Sequence, residues 1–253
     1  MELIKLEKPE KLIDENNIRV DGRKLNDLRP IKMEVGVLPK ANGSAYVEMG
    51  GNKILASVYG PREVHPRHLA ESNKAVFRCL YRMATFSVDE RKSPAPSRRE
   101  NELSMVIGQA LEPAIFLNYY PKTMIECTIL VIQADGGTRC ASINAASLAL
   151  ADAGIAMRGL VSAVAIGKAD GKLIVDLNNV EDQFGEGDLP IAILYPLKEV
   201  SLIQFDGILT NEEFQQCINL AYDACEIIFN KQIEALHKRY SKEIIEKDNK
   251  KEA

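Results

Sequence analysis

Asp182 and Asp188 lie six residues apart in an acidic stretch, Asn178 to Asp188, that also carries Glu181 and Glu186. Carboxylates on a turn between strands can hold Mg²⁺ jointly with substrate phosphates, and one of them can protonate a leaving oxygen if its pKa is raised. A solvated acidic turn has the same composition, so this stretch alone does not decide the chemistry. A second constellation is Gly136-Gly137-Thr138-Arg139, which follows an apolar β-branched run and precedes a run of strong helix formers. At such a strand-to-helix junction the first helical N–H groups lack partners. The helix dipole adds partial positive charge, and the glycines let a ligand approach the backbone. An anion the size of phosphate suits this junction, with donors added by Thr138 and Arg139. A tight turn with Arg139 paired to a surface carboxylate remains the alternative. The spacing matches neither a nucleotide P-loop nor a dinucleotide-binding fold.

A third constellation opens the helix at Ser97-Arg98-Arg99-Glu100. Ser97 and Glu100 have the spacing of a capping box, but Arg98 and Arg99 occupy the first turn, where the dipole disfavours cations. A bound anion would offset that conflict; an ordinary salt bridge to Glu102 is the alternative. From Arg62 to Arg99 there are nine Lys or Arg against four acids, while the whole chain carries a net charge of -4. A positive strip on an acidic body suits a narrow polyanion track, although charges that merely face water would read the same way.

The elements that must position these groups follow from periodicity. Pro30–Val37, Ser44–Met49 and Lys53–Tyr59 read as strands, the last two joined by the hairpin turn Gly50-Gly51-Asn52, with Gly60-Pro61-Arg62 ending the meander. Arg62–Asn73 reads as an exposed loop and Ala75–Val88 as a strand. The helix opened by Ser97 shows one apolar face from Leu103 to Ile115. Met124–Ile132 is a buried strand, and the helix from Ala141 ends at Gly154 with small residues that allow close packing. A hairpin around Asp170-Gly171, two further strands (Leu189–Tyr195 and Val200–Phe205) and a helix capped by Thr210 and Glu213 complete the order. This predicts an α+β fold of two similar halves, about 21–120 and 121–240, preceded by an N-terminal surface segment (1–20) and followed by a charged C-terminal tail (241–253).

With 253 residues, 46% apolar and 27% charged, the composition is that of a globular protein. No apolar run approaches the roughly 20 residues that cross a bilayer, and the first residues lack the apolar core of a secretory signal. A cytoplasmic location is expected. Five cysteines without a C-x-x-C pair read as buried free thiols, and three scattered histidines offer no zinc motif.

Taken together, Pro61-Arg62-Glu63 with His65-Pro66-Arg67, Asp89-Glu90-Arg91-Lys92, Pro96 to Glu100, Ala134 to Arg139, Ala145 to Gly154, and Asp176 through Asp182 to Asp188-Leu189-Pro190 resemble the ribonuclease PH family. The resemblance runs from about Ile18 to about Tyr240. Within the family it is strongest to the ring subunits of archaeal RNA-degrading complexes that retain an active site. It implies two β-α-β-β-α-type halves and a phosphorolytic 3′-to-5′ exoribonuclease, in which inorganic phosphate is co-substrate and nucleoside 5′-diphosphates are released. The reverse reaction adds 3′ tails. By position, Arg98, Arg99, Gly137, Thr138 and Arg139 would bind phosphate or the adjoining backbone. Asp182 and Asp188 would serve acid catalysis or hold Mg²⁺, and Arg62, His65 and Arg67 would hold RNA. The implied partners are single-stranded RNA, a related inactive subunit alternating in a hexameric ring, and RNA-binding cap proteins. A non-catalytic scaffold subunit, a homohexameric transfer-RNA trimming enzyme and a small-molecule phosphotransferase are the rival readings.

Overall fold

The computed structural model describes the backbone of residues 9–249 and the side chains of residues 9–241. Two five-stranded sheets enclose a central helix. Strands β1 (Ile31–Val35), β2 (Gly43–Met49), β3 (Asn52–Glu63), β4 (Val76–Met83) and β5 (Thr123–Gln133) form the first sheet in the order β1-β2-β3-β5-β4. All its pairs are antiparallel except β4 with β5. Strands β6 (Leu160–Ala169), β7 (Lys172–Val175), β8 (Gly187–Tyr195), β9 (Glu199–Ile203) and β10 (Asp206–Gly207) form the second, in which β8 pairs with β6, β9 and β10.

Helix α2 (Thr138–Asp152) lies between the sheets, with every residue from Cys140 to Leu150 buried. Its Ala and Ser side chains explain how: they bury area on all sides while leaving room for close approach of the strands. Helix α1 (Arg98–Leu111) covers β4 with Leu103, Val106, Ile107, Ala110 and Leu111. The apolar periodicity continues to Ile115, but Pro113 cannot continue the α-helix, and residues 112–114 form a 3-10 turn instead. Helix α4 (Asn211–Asn249) packs on β6 and β1, and starts at the expected reciprocal pair. The Thr210 amide donates to Glu213 Oε2 at 2.8 Å and the Glu213 amide to Thr210 Oγ at 3.2 Å. Residues 250–253 of the expected charged tail lie outside the described residues.

Four expectations change. Strand β5, assigned from the sequence to the second half, is inserted between β3 and β4, so the first sheet is complete only after residue 133 and the boundary near residue 120 does not divide the sheets. The meander does not end at Gly60-Pro61. After a bulge, β3 pairs again with β5 at Arg62↔Met124 and Glu63↔Thr123. The N-terminal segment is partly core: Leu12 and Ile13 are buried, and their amides donate to Asp170 Oδ2 at 2.6 and 3.0 Å. Finally, the acidic stretch is not a loop. It contains a short helix, α3 (Asn179–Phe184), started by a capping box between Asn178 and Glu181. Among the described residues no helix is long and apolar enough to cross a membrane.

Candidate active site

The turn between β5 and α2 takes the conformation its glycines permit. Gly136 and Gly137 have φ of 65° and 64°, and Gly137 is the N-cap of α2 in the left-handed region, with no side chain capping the helix. Among the described residues the Thr138 and Arg139 amides at the start of α2 have no protein acceptor, whereas the Cys140 amide donates to the Gly137 carbonyl at 3.1 Å. A Cβ on Gly136 would stand 2.6 Å from the Asn178 carbonyl oxygen, so glycine is required by space as well as by φ. Thr138 is held in place by the hydroxyl of Tyr81, fully buried on β4, at 3.1 Å.

Helix α1 presents Arg98 and Arg99 in its first turn behind the complete Ser97/Glu100 capping box. Glu100 also accepts the Met83 amide at 2.8 Å, which ties the start of α1 to the end of β4. Helix α3 carries Asp182, and β8 carries Asp188 opposite Gly167 of β6 and Asp206 of β10. The two aspartates are thus on two different regular elements rather than on one turn.

These elements converge. Arg99, Gly137, Thr138, Arg139, Asp182 and Asp188 line one cavity of 230 Å³. An adjoining, wider cleft shares Arg99, Arg139 and both aspartates and adds Arg98, Phe205 and Asp206. Among the described residues none of Arg98, Arg99 and Arg139 forms an ion pair, so the surface salt bridges open as alternatives in the sequence do not form. Two buried atoms in this cavity have no protein partner: Arg139 Nε, a donor, and Asp188 Oδ1. Unpaired buried polar atoms are costly and point to a missing ligand.

Burial pushes both carboxyls upward. For Asp182 desolvation is opposed by Arg99, Arg139 and Arg29. For Asp188, desolvation and the neighbouring Asp182 charge outweigh the pull of Arg139, and the group is pushed up to about 7. A carboxyl that still carries its proton near neutrality is what a general acid needs.

Arg62, His65 and Arg67 stand elsewhere. They are exposed at the end of β3 and in the following turn, and none lines the cavity or the cleft. Arg62 lies over the Tyr59 ring at 4.1 Å and Arg67 pairs with Glu63 at 3.0 Å. Three cavity residues with a charged or amide side chain were not expected in the site: Lys92, Asn179 and Gln183. Lys92 enters the sequence reading as one charge in the basic strip and as the end of the motif Asp89-Glu90-Arg91-Lys92, without a site role, and the other two only as part of the acidic stretch. Among the described residues no group of three or more His, Cys, Asp or Glu side chains is arranged to hold a metal.

Comparison with known proteins agrees with this geometry. Residues 27–156 match the model of the 3′ exoribonuclease family, domain 1, and residues 159–224 that of domain 2. The chain is 57% identical over 240 residues to exosome complex component Rrp41 of Pyrococcus abyssi, covering 94% of this chain and 96% of the relative. It is 53% identical over 234 residues to the Rrp41 component of Methanopyrus kandleri, covering 92% and 98%. Among solved structures, rice Rrp46 superposes with a TM-score of 0.78 at 26% identity, covering 87% of this chain and all of that one. A chain of the Archaeoglobus fulgidus exosome with RNA bound to the active site gives 0.75 at 22% identity, covering 85% and 93%, a likeness of fold. The chain therefore belongs to the ribonuclease PH family of 3′ exoribonucleases.

Proposed function

We infer that this chain is a phosphorolytic 3′-to-5′ exoribonuclease and the catalytic subunit of an exosome-type ring. The observation that carries the reading is the single cavity where the α2 amide tip, Arg99, Arg139, Asp182 and Asp188 meet. Orthophosphate is held at Gly137, Thr138 and Arg139, and the last phosphodiester of the RNA lies beside it under Arg98 and Arg99. A phosphate oxygen attacks that phosphorus. The new P–O bond forms as the bond to the 3′ oxygen of the preceding nucleotide breaks, and Asp188 delivers its proton to that oxygen. The products are a nucleoside 5′-diphosphate and an RNA shorter by one nucleotide with a free 3′ hydroxyl. The reverse reaction extends the RNA from diphosphates. Cations and oriented amides lower the barrier by holding two mutually repelling anions together and meeting the charge that develops between them.

Mg²⁺ fits the same residues. Asp188 Oδ1 is a buried acceptor without a partner, and its carboxyl is raised in part by Asp182, a repulsion that a cation relieves. As an alternative to acid catalysis by Asp188, Asp182 and Asp188 would hold it as carboxylates, with oxygens from phosphate and water completing its shell, and it would then neutralise the charge at the reacting phosphates and the leaving oxygen in place of the Asp188 proton.

Arg62, His65 and Arg67 belong to the path of the RNA outside the cavity, where they bind its backbone without reading sequence. Single-stranded RNA, a related inactive subunit alternating in a hexameric ring and RNA-binding cap proteins are the partners of this reading. The cytoplasm is its place, consistent with five buried free cysteines.

The test incubates the full chain, alone and with the related ring subunit, with single-stranded RNA labelled uniformly along its length. Diphosphate release that requires phosphate and disappears in Asp182→Asn and Asp188→Asn supports the reading. Monophosphate release without phosphate would replace it with hydrolysis, and no release in either setting would leave a scaffold subunit.

A further inference from the structure

The glycine turn and the helix carrying Asp182 are both fastened from behind by Arg29 and Arg19, neither of which lines the cavity or the cleft. Arg29 is 5% exposed. Its amide and Nε donate to Asp176 Oδ2 at 2.8 and 3.0 Å, and its Nη2 to Asp176 Oδ1 at 2.7 Å. On the other side, Nη1 donates to the Asp135 carbonyl and Nη2 reaches the Gly136 carbonyl at 3.4 Å. Asn52 completes the grip, its Nδ2 donating to the Gly136 carbonyl at 2.5 Å and its Oδ1 accepting the Asp135 amide at 2.7 Å.

In a trans peptide the carbonyl and the next N–H point in opposite directions. Drawing the Asp135 and Gly136 carbonyls back onto Arg29 therefore aims the Gly136 and Gly137 amides away from it. Among the described residues neither amide has a protein acceptor.

Arg19, 2% exposed, makes a second grip. Its Nε donates to Glu181 Oε1 at 2.7 Å and its Nη2 to Glu181 Oε2, while Nη1 and Nη2 donate to the carbonyls of Val175 and Asp176 at 2.6 and 3.0 Å. Glu181 Oε2 also accepts the Asn178 amide at 3.0 Å, which closes the first turn of α3. Asp182 is the next residue. Asp176 thus links both grips into one buried ionic block behind the site. A buried ion pair adds little net stability, because desolvation offsets its attraction. What it supplies here is direction.

On the phosphorolytic reading above, we propose that Arg29–Asp176 and Arg19–Glu181 are positioning pairs: the first presents the amide tip to orthophosphate, and the second sets Asp182 relative to it. The test uses Arg29→Lys and Glu181→Gln in the full chain, assayed with the related ring subunit present. Arg29→Lys is expected to raise KM for phosphate about tenfold while KM for RNA and kcat stay within about twofold. Glu181→Gln is expected to lower kcat about tenfold with KM for phosphate unchanged.

Hydrogen exchange of the resting protein supplies a readout that needs no activity. Arg29→Lys should speed exchange of the hydrogen-bonded amides of Ala134, Asp135 and Cys140 and Glu181→Gln that of residues 179–184, while residues 160–169 keep wild-type protection. Unchanged exchange in both segments together with unchanged KM for phosphate overturns the proposal. So does a loss of protection throughout the protein with activity falling only as the folded fraction falls. A wild-type chain that releases no diphosphate removes the phosphorolytic reading, and exchange then still decides whether the two arginines fasten the turn and α3.

Discussion

Replacing Asp188 by Asn should abolish phosphorolysis and at the same time stabilise the fold at neutral and alkaline pH relative to acid. The Asp188 carboxyl is pushed up to about 7 from 3.8, first by burial and then by the Asp182 charge, against the pull of Arg139. The unfolded chain returns the group to its ordinary value, so between those two pH values the folded protein holds a proton that the unfolded chain has released. The stabilisation is complete below the unfolded value, is lost as pH rises toward 7, and changes no further above it. From pH 5 to 7, at about 1.4 kcal/mol per pH unit, the wild type should lose roughly 3 kcal/mol that the Asn variant, with nothing to titrate there, keeps. Urea unfolding of both proteins between pH 5 and pH 8 in metal-free buffer measures the effect. The gap between their unfolding free energies should widen by about 3 kcal/mol across that range in favour of the variant and then level off. A gap that stays constant would mean that Asp188 ionises as an ordinary carboxyl, and its role as the acid would fall. Mg²⁺ added at pH 8 should narrow the gap, because the cation binds the folded wild-type carboxylates. Equal stabilisation of both proteins would remove this pair as the metal's seat.

Gly136→Ala places a Cβ 2.6 Å from the Asn178 carbonyl oxygen at a φ of 65°, and should cost about 2–4 kcal/mol in unfolding experiments as well as most phosphate binding by calorimetry. Wild-type affinity in a normally folded variant would exclude the turn as the phosphate seat. Ser97→Ala removes one half of the capping box and should lower stability by about 1 kcal/mol, with a weaker KM for RNA as the turn carrying Arg98 and Arg99 loosens. An unchanged KM for RNA would argue that the cap matters to the fold alone. Arg62→Ala combined with Arg67→Ala should leave KM for phosphate unchanged. It should also flatten the dependence of RNA affinity on salt, by about 0.7 in the log–log slope for each RNA phosphate that is no longer neutralised. An unaltered slope would take these residues off the RNA path.

What could be read from the sequence was local. The capping boxes Ser97/Glu100 and Thr210/Glu213 span three residues, and the Gly50-Gly51-Asn52 turn specifies its own hairpin, so each carries its geometry within one short window. The start of α3 carried the same kind of signal, Asn178 followed three residues later by Glu181, but the glycines beyond Phe184 and the density of acids made it look like a loop. Placing β5 between β3 and β4 was out of reach, because strand pairing depends on partners dozens of residues away. The ionic block is the extreme case. Arg19 and Arg29 meet Glu181 and Asp176 across separations of 162 and 147 residues, and no local pattern in the sequence marks either arginine as buried.

The electrostatic conflict at the start of α1 identifies what the site lacks. Arg98 and Arg99 stand at a helix end that already bears partial positive charge, Arg139 stands at the next such end, and among the described residues no carboxylate pairs with any of them. Asp182 and Asp188 are near enough to draw on these cations, yet burial outweighs that pull in both. On the phosphorolytic reading, an arriving phosphate would complete the arrangement in two ways. It would satisfy the unpaired donors, and its negative charge beside Asp188 would raise that carboxyl further, so that the proposed acid would be most fully protonated when the nucleophile is in place. Capture of phosphate and readiness of the acid would thereby be coupled through the same few ångströms of desolvated space, which a water molecule, being neutral, would not reproduce.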